Sequence, residues 1–238
     1  MPAIRKNPAT PASELPARRR MAPADREKQL VEGAIRFFSK HGLSGQLRDL
    51  ARDLGITHTL LYHYFPTKQA LLERVYTDIF AGRWRAEWEV LLDDRTLGLR
   101  DKLTRFYVSY ARVILEPEWV RVFVYSGLND RFITDRYFAL LREKLFPRIH
   151  RETLKHLGLR QRKPTEREME RILGLHGSVF YMGMRRWVYG FGQRVETTDF
   201  SDTDAIYIED RVTAYVASLP QLASTHKHRT IQHLEAFA

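Results

Sequence analysis

The chain has no cysteine among its 238 residues. That absence excludes disulfides, thiolate catalysis, cysteine-type zinc fingers and cysteine-ligated iron–sulfur clusters together, and it fits a reducing compartment. Long apolar runs are missing too. The opening MPAIRKNPAT holds no continuous apolar stretch that could form a signal-peptide core, and the longest uncharged run, 172–184, is too short for a membrane span and is interrupted by Gly174, Gly177 and Gly183. A cytoplasmic location with no membrane partner is therefore expected. No segment alternates apolar and polar residues between hairpin signals, so almost no sheet is expected, and no repeat of solenoid length is present. Catalytic motifs are lacking as well: there is no P-loop, GxGxxG or nucleophile elbow. His150 and His156 stand six apart, not at the i, i+4 spacing of a helical zinc pair, and Ser178 cannot face His176 on a helix. These absences point away from an enzyme and predict no metal and no cofactor.

What is present is helix signal and positive charge. Apolar residues make up 44% of the chain, enough for a core of one or two domains. The net charge of +10, from 39 Lys and Arg against 29 Asp and Glu, points to a polyanionic partner. Five of the basic residues (Arg5, Lys6, Arg18, Arg19, Arg20) lie in the first 24 positions against one acid, Glu14. That segment is rich in Pro, Ala and Arg, has little to bury, and reads as a flexible basic arm, residues 1–24.

Periodicity then predicts helices. Val31, Ala34, Ile35 and Phe38 follow the i, i+3, i+4, i+7 template over 30–41, closed by Gly42. Leu47, Leu50, Ala51 and Leu54 form a second, short helix ended by Gly55, with Ser44 or Gly45 placed to cap its start. Thr57 caps a third helix stopped by Pro66, and Thr67 caps a fourth through Ile79. After a break near 93–95, helices are predicted at about 100–115, 118–128, 131–157, 166–189 and 202–218, with a capping box at Thr165 and Glu168 and Pro220 closing the last. The implied division is the arm, a helix-turn-helix domain at 25–81, a larger helical domain at 82–220 and a tail at 221–238.

Residues 44–65, SGQLRDLARDLGITHTLLYHYF, are two short amphipathic helices joined at Gly55. Such a pair buries Leu50, Ala51, Leu54, Ile56 and Leu61 and turns His58, Thr59, Tyr62 and His63 outward, a polar and aromatic face sized for the major groove of B-DNA. Together with AIRFFSKHG before it and PTKQALL after it, this stretch resembles the N-terminal domain of the TetR family of transcriptional regulators over about 28–81.

The resemblance implies an all-α fold: an N-terminal three-helix helix-turn-helix DNA-binding domain plus a C-terminal helical ligand-binding and dimerisation domain. It implies that Thr57 caps the recognition helix and faces DNA, that His58, Thr59 and His63 read bases or phosphates, and that Tyr62 contacts phosphate. Lys68 matches a phosphate clamp at a helix N-terminus, with Arg48 and Ser44 as further DNA-binding candidates. His58 departs from the lysine frequent at its position, and Leu60 from a small hydroxyl residue. Arg18, Arg19 and Arg20 are candidates for a minor-groove arm.

The function so implied is a ligand-responsive regulator, a repressor, that binds a palindromic double-stranded DNA operator as a homodimer. The dimer would form through the helices at 166–189 and 202–218, with the fourth helix as lever between domains. A small-molecule effector would sit among aromatic and adaptable residues of the larger domain, for which the candidates are Tyr107, Tyr110, Trp119, Phe123, His176, Phe180 and Met184. Two alternatives stay open at this point: a family member controlled by a protein partner, and a helical ligand-binding protein that has lost DNA binding.

Overall fold

The computed structural model describes residues 21–191 and 200–220; the arm arginines Arg18, Arg19 and Arg20 and the tail 221–238 lie outside them. The described residues form helices without strands, in the order α1 Pro23–His41, α2 Leu47–Asp53, α3 His58–Tyr64, α4 Lys68–Ile79, α5 Ala86–Asp93, α6 Leu99–Ile114, α7 Pro117–Leu128, α8 Phe132–Lys144, α9 Phe146–His156, α10 Glu166–Trp187 and α11 Asp202–Ser218.

Helix ends follow local chemistry. Thr57 accepts a hydrogen bond from the Leu60 amide (3.2 Å), and Thr67 accepts one from the Ala70 amide (3.0 Å). Each such cap stabilises its helix by about 1 kcal/mol. Gly55 turns the chain between α2 and α3 at φ +63, a conformation side chains disfavour. Thr165 and Glu168 form the expected capping box on α10, and Ser201 and Asp204 form a second on α11.

Four local expectations are corrected. The first helix starts at Pro23, so the end of the supposed arm is helical; proline's fixed φ suits the first turn and its missing N–H costs nothing there. Neither Ser44 nor Gly45 caps α2, whose N-cap is Gln46 without a side-chain bond. A helix unforeseen in the sequence, α5, buries Trp88 and Leu92. The stretch 131–157 is two helices broken at Leu145, because Pro147 cannot donate within a continuous helix and instead opens α9.

The small domain is built on α1, whose Val31, Ala34 and Phe38 are fully buried with Leu50, Leu61, Leu71 and Val75 of the next three helices. α1 also lies along α7, which seats the domain on the larger one. There α6 packs on α11 and α9, while α10 touches α6, α7, α9 and α11.

The α10 glycines separate by environment. A Cβ on Gly183 would stand 2.8 Å from Val120 Cγ2 and 3.0 Å from Leu115 Cδ2, whereas one on Gly174 would meet nothing within 4 Å. Gly174→Ala is expected to stabilise the protein by about 0.5–1 kcal/mol through helix propensity. Gly183→Ala is expected to destabilise it, since overpacking costs about 1–3 kcal/mol. Thermal melts of the two variants should shift in opposite directions.

Candidate nucleic-acid interface and interior cavity

The turn before α2, the start of α2, the exposed side of α3 and the first residue of α4 surround one concave surface of about 310 Å³. Ser44, Arg48, His58, Tyr62 and Lys68, five of the eight DNA-binding candidates, line it. Of the other three, Thr57 caps α3, and Thr59 and His63 are exposed on α3 beside the groove. α3 adopts this orientation because Leu61 is buried and Leu60 half-buried, which leaves His58, Thr59, Tyr62 and His63 outward. The His58 and Tyr62 rings meet edge to face at 4.4 Å, one helical turn apart. Gln46 and Leu47 also line the groove; periodicity marked Leu47 only as an apolar helix position and Gln46 not at all, since their place depends on how the turn before α2 folds back.

Lys68 is the first residue of α4, and its ammonium adds to the partial positive charge of that helix end. Partial burial pulls its pKa below the usual lysine value, opposed by the carboxylate of Asp130. Asp130 lies in the turn from α7 to α8, which is held in an unusual shape. Arg131 has φ 60, its amide donates to the Ser126 carbonyl oxygen (2.8 Å), and Asp130 Oδ1 accepts from the Phe132 amide (3.0 Å). A left-handed non-glycine residue costs about 1–2 kcal/mol, so surrounding bonds must hold it. The turn brings a negative charge of the larger domain to bear on the cation of the groove.

A second cavity, of about 210 Å³, opens among α6, α7, α8 and α10. Trp119, Phe123, His176 and Phe180 line it, four of the seven pocket candidates. The other three do not. Tyr107 is buried with a hydroxyl that has no hydrogen-bond partner among the described residues, and Tyr110 gives or takes a 2.6 Å bond with the Tyr137 hydroxyl. Met184 is half-buried against the core. Tyr137, Phe138, Leu141 and Leu173 complete much of the wall. Helical spacing could not find them, because it identifies an apolar face without telling which part of that face meets open space. Gly177 sits on the same wall, where an added Cβ would meet nothing within 4 Å.

His176 is the polar residue on which this cavity turns. Burial pushes its pKa down to about 4, and its Nδ1 has no hydrogen-bond partner among the described residues. The imidazole is therefore neutral at pH 7. Its folded pKa lies below the unfolded value near 6.5, so the unfolded state binds the extra proton and stability falls as pH drops from about 6.5 to 4. This one group is expected to cost about 3 kcal/mol across that window. Urea unfolding at pH 7 and pH 4.5 should show a smaller loss in His176→Phe than in the parent chain.

Behind the cavity stands Phe80, the residue that ends α4. Its ring centroid lies 4.8 Å from that of Trp119, 5.7 Å from Tyr137 and 6.0 Å from Phe123, all cavity walls. The helix that carries Lys68 at its start thus ends against the aromatic wall of the cavity.

Among the described residues no cluster of His, Asp and Glu could hold a metal ion, and no helix is long and apolar enough to cross a membrane.

The model of the family described as bacterial regulatory proteins, tetR family, matches residues 30–75. The chain is 30% identical to the HTH-type transcriptional regulator BetI of Agrobacterium fabrum, with 53% of this chain and 64% of that protein covered. It is 32% identical to the HTH-type transcriptional repressor KstR2 of Mycolicibacterium smegmatis, covering 46% and 52%. The chain thus spans less than two thirds of the length of these curated relatives. Its fold is similar to that of a TetR-like transcriptional regulator from Rhodococcus sp. RHA1 (TM-score 0.62, 17% identity, 84% of this chain and 100% of that one). It is also similar to that of the TetR family transcriptional regulator PfmR from Thermus thermophilus (TM-score 0.56, 18% identity, 79% and 97%).

Proposed function

We propose that the chain, whose residues 30–75 match the model of the tetR family of bacterial regulatory proteins, is a regulator of that family that represses transcription in the cytoplasm by binding a palindromic operator as a homodimer that a small molecule releases. The observation that carries the DNA reading is the groove itself. It joins a basic side chain of α2, a histidine and a tyrosine of α3 and the Lys68 ammonium at the start of α4 on one concave face. A short recognition helix alone makes few base contacts, so two subunits reading successive half-sites are the economical arrangement. In this reading α3 reads bases through Thr59 and His63, Tyr62 and Lys68 hold phosphates, and Arg18, Arg19 and Arg20 add a salt-sensitive grip in the minor groove. No catalytic step is proposed for any residue.

The dimer is proposed on α10 and α11. Tyr181, Ile206 and Tyr207 on these helices, and Val188, Tyr189 and Phe191 just beyond α10, are large apolar side chains left exposed in the single chain. Exposed apolar side chains gathered in this way mark an association surface. The aromatic cavity favours a small-molecule effector over control by a protein partner alone, because it leaves open space beside the end of α4.

The experiment is selection of bound fragments from the source genome, followed by retardation assays on the recovered operator. Lys68→Ala is expected to weaken all DNA about equally and to lower the slope of log K against log salt by about one, as the loss of one phosphate contact requires. Substituting Thr59 or His63 is expected to change sequence preference instead. Relaxed specificity at one base pair in Lys68→Ala would contradict these roles.

A further inference from the structure

We propose that the cavity among α6, α7, α8 and α10 takes a small, neutral, single-ring aromatic ligand bearing one hydroxyl, of the phenol class, with the hydroxyl set against His176. The inference rests on the effector reading of this cavity and adds the chemistry of its ligand.

Size comes first. A dry cavity of about 150 Å³ lined by Leu, Ile and Phe accepts benzene. The present cavity, about 210 Å³, has room for one ring and a few substituent atoms. Shape and polarisability come next, since Trp119, Phe123, Tyr137 and Phe180 offer ring faces and edges. Another ring can meet these at the offset or edge-on angles that aromatic pairs prefer.

Charge then narrows the class. No Asp, Glu, Lys or Arg lines the cavity among the described residues. A carboxylate brought there would lose its water with no cation to replace it, a cost no apolar contact offsets. His176 does not supply that cation, since burial keeps it neutral.

The remaining polar groups favour a hydroxyl. The Nδ1 of His176 has no partner among the described residues, and a neutral imidazole offers one donor and one acceptor nitrogen. On the same wall the Tyr137 hydroxyl bonds to that of Tyr110 at 2.6 Å, and where Tyr137 accepts it keeps its own proton to give. A hydroxyl both donates and accepts, so it can meet either side of this arrangement. A ligand without a polar group would leave His176 Nδ1 without a partner.

The test is calorimetric titration of the full chain with four single-ring probes that differ in polarity and charge: 4-methylphenol, toluene, 4-methylbenzoate and phenyltrimethylammonium. The expected result is saturable binding of 4-methylphenol at least about tenfold tighter than each of the others, the scale set by one buried hydrogen bond. In His176→Phe, 4-methylphenol and toluene should bind within about threefold of each other, because the discriminating bond is gone. Leu141→Phe, which puts extra carbons into the cavity, should weaken both. Tighter binding of the benzoate or the ammonium, no saturable binding of any probe, or undiminished discrimination in His176→Phe would overturn the proposal. Operator retardation with and without 4-methylphenol separates the two readings. Saturable binding that leaves operator affinity unchanged supports the ligand class and contradicts the effector role.

Discussion

Replacing Lys102 with methionine is expected to lower the unfolding free energy by about 3 kcal/mol, while replacing both Lys102 and Glu152 with apolar residues restores most of that loss. Lys102 is on α6 with its side chain 1% exposed, and its ammonium contacts the carboxylate of Glu152 on α9, itself 9% exposed. The same ammonium donates to the Leu92 carbonyl oxygen at the end of α5 (3.1 Å). One cation therefore ties three helices together. Removing it leaves a carboxylate buried and a carbonyl without its donor, and breaking such a pair costs about 3–5 kcal/mol. The lower end applies here because Arg151 Nε stays 3.4 Å and Lys155 Nζ 3.9 Å from the Glu152 carboxylate. The double variant Lys102→Met, Glu152→Leu leaves no uncompensated charge and should fall within about 1 kcal/mol of the parent chain. Urea unfolding of the three proteins measures both numbers. A double variant as unstable as Lys102→Met would mean that the Leu92 carbonyl, not the carboxylate, carries the cost.

The second large effect concerns Phe80. Its ring is 1% exposed and packs at tilted and edge-on angles against Trp119, Phe123 and Tyr137. Phe80→Ala should cost about 3–5 kcal/mol, as ring deletion in a packed core does. Phe80→Leu keeps most of the volume and should cost less than about 1.5 kcal/mol. It is the more informative change for function. A ligand that moves Trp119 or Tyr137 can reach α4, and through it Lys68, by pressing on the Phe80 ring. A coupling of about 1–3 kcal/mol, or about 5–150-fold in operator affinity, is ordinary for such a switch. Phe80→Leu is expected to bind operator near normally and to respond several-fold less to a ligand that fills the cavity. Retardation assays with and without ligand decide it: an undiminished response would move the coupling elsewhere, the next candidate being the α7 to α8 turn, whose Asp130 acts electrostatically on Lys68.

The helix-turn-helix was legible from residues alone because its signals are local. The Thr57 and Thr67 caps act across three residues, Gly55 turns one position, and Leu50, Leu61 and Leu71 mark the buried face at helical spacing. Failures came where a local signal had competitors. Ser44 is a good cap residue, yet the chain extends through Gln46 before α2 starts, and Ser44 ends on the wall of the groove instead. The stretch 131–157 has helical periodicity throughout, but Pro147 interrupts its hydrogen bonding.

For the larger domain, residue order alone marks where most helices begin and end and that many aromatic side chains are buried. Cap bonds and helical periodicity act within about four residues, so they are written locally. Which of those aromatics face open space depends on how the helices pack. Trp119, Phe123, Tyr137, His176 and Phe180 come from three different helices, while Tyr107 and Tyr110, fully buried and equally well spaced, fill the core beside them. The difference is a cavity, and a cavity belongs to the fit between helices and not to any one of them. The same holds for Lys102, whose burial is tolerated only because α5 and α9 bring a carbonyl and a carboxylate to its ammonium.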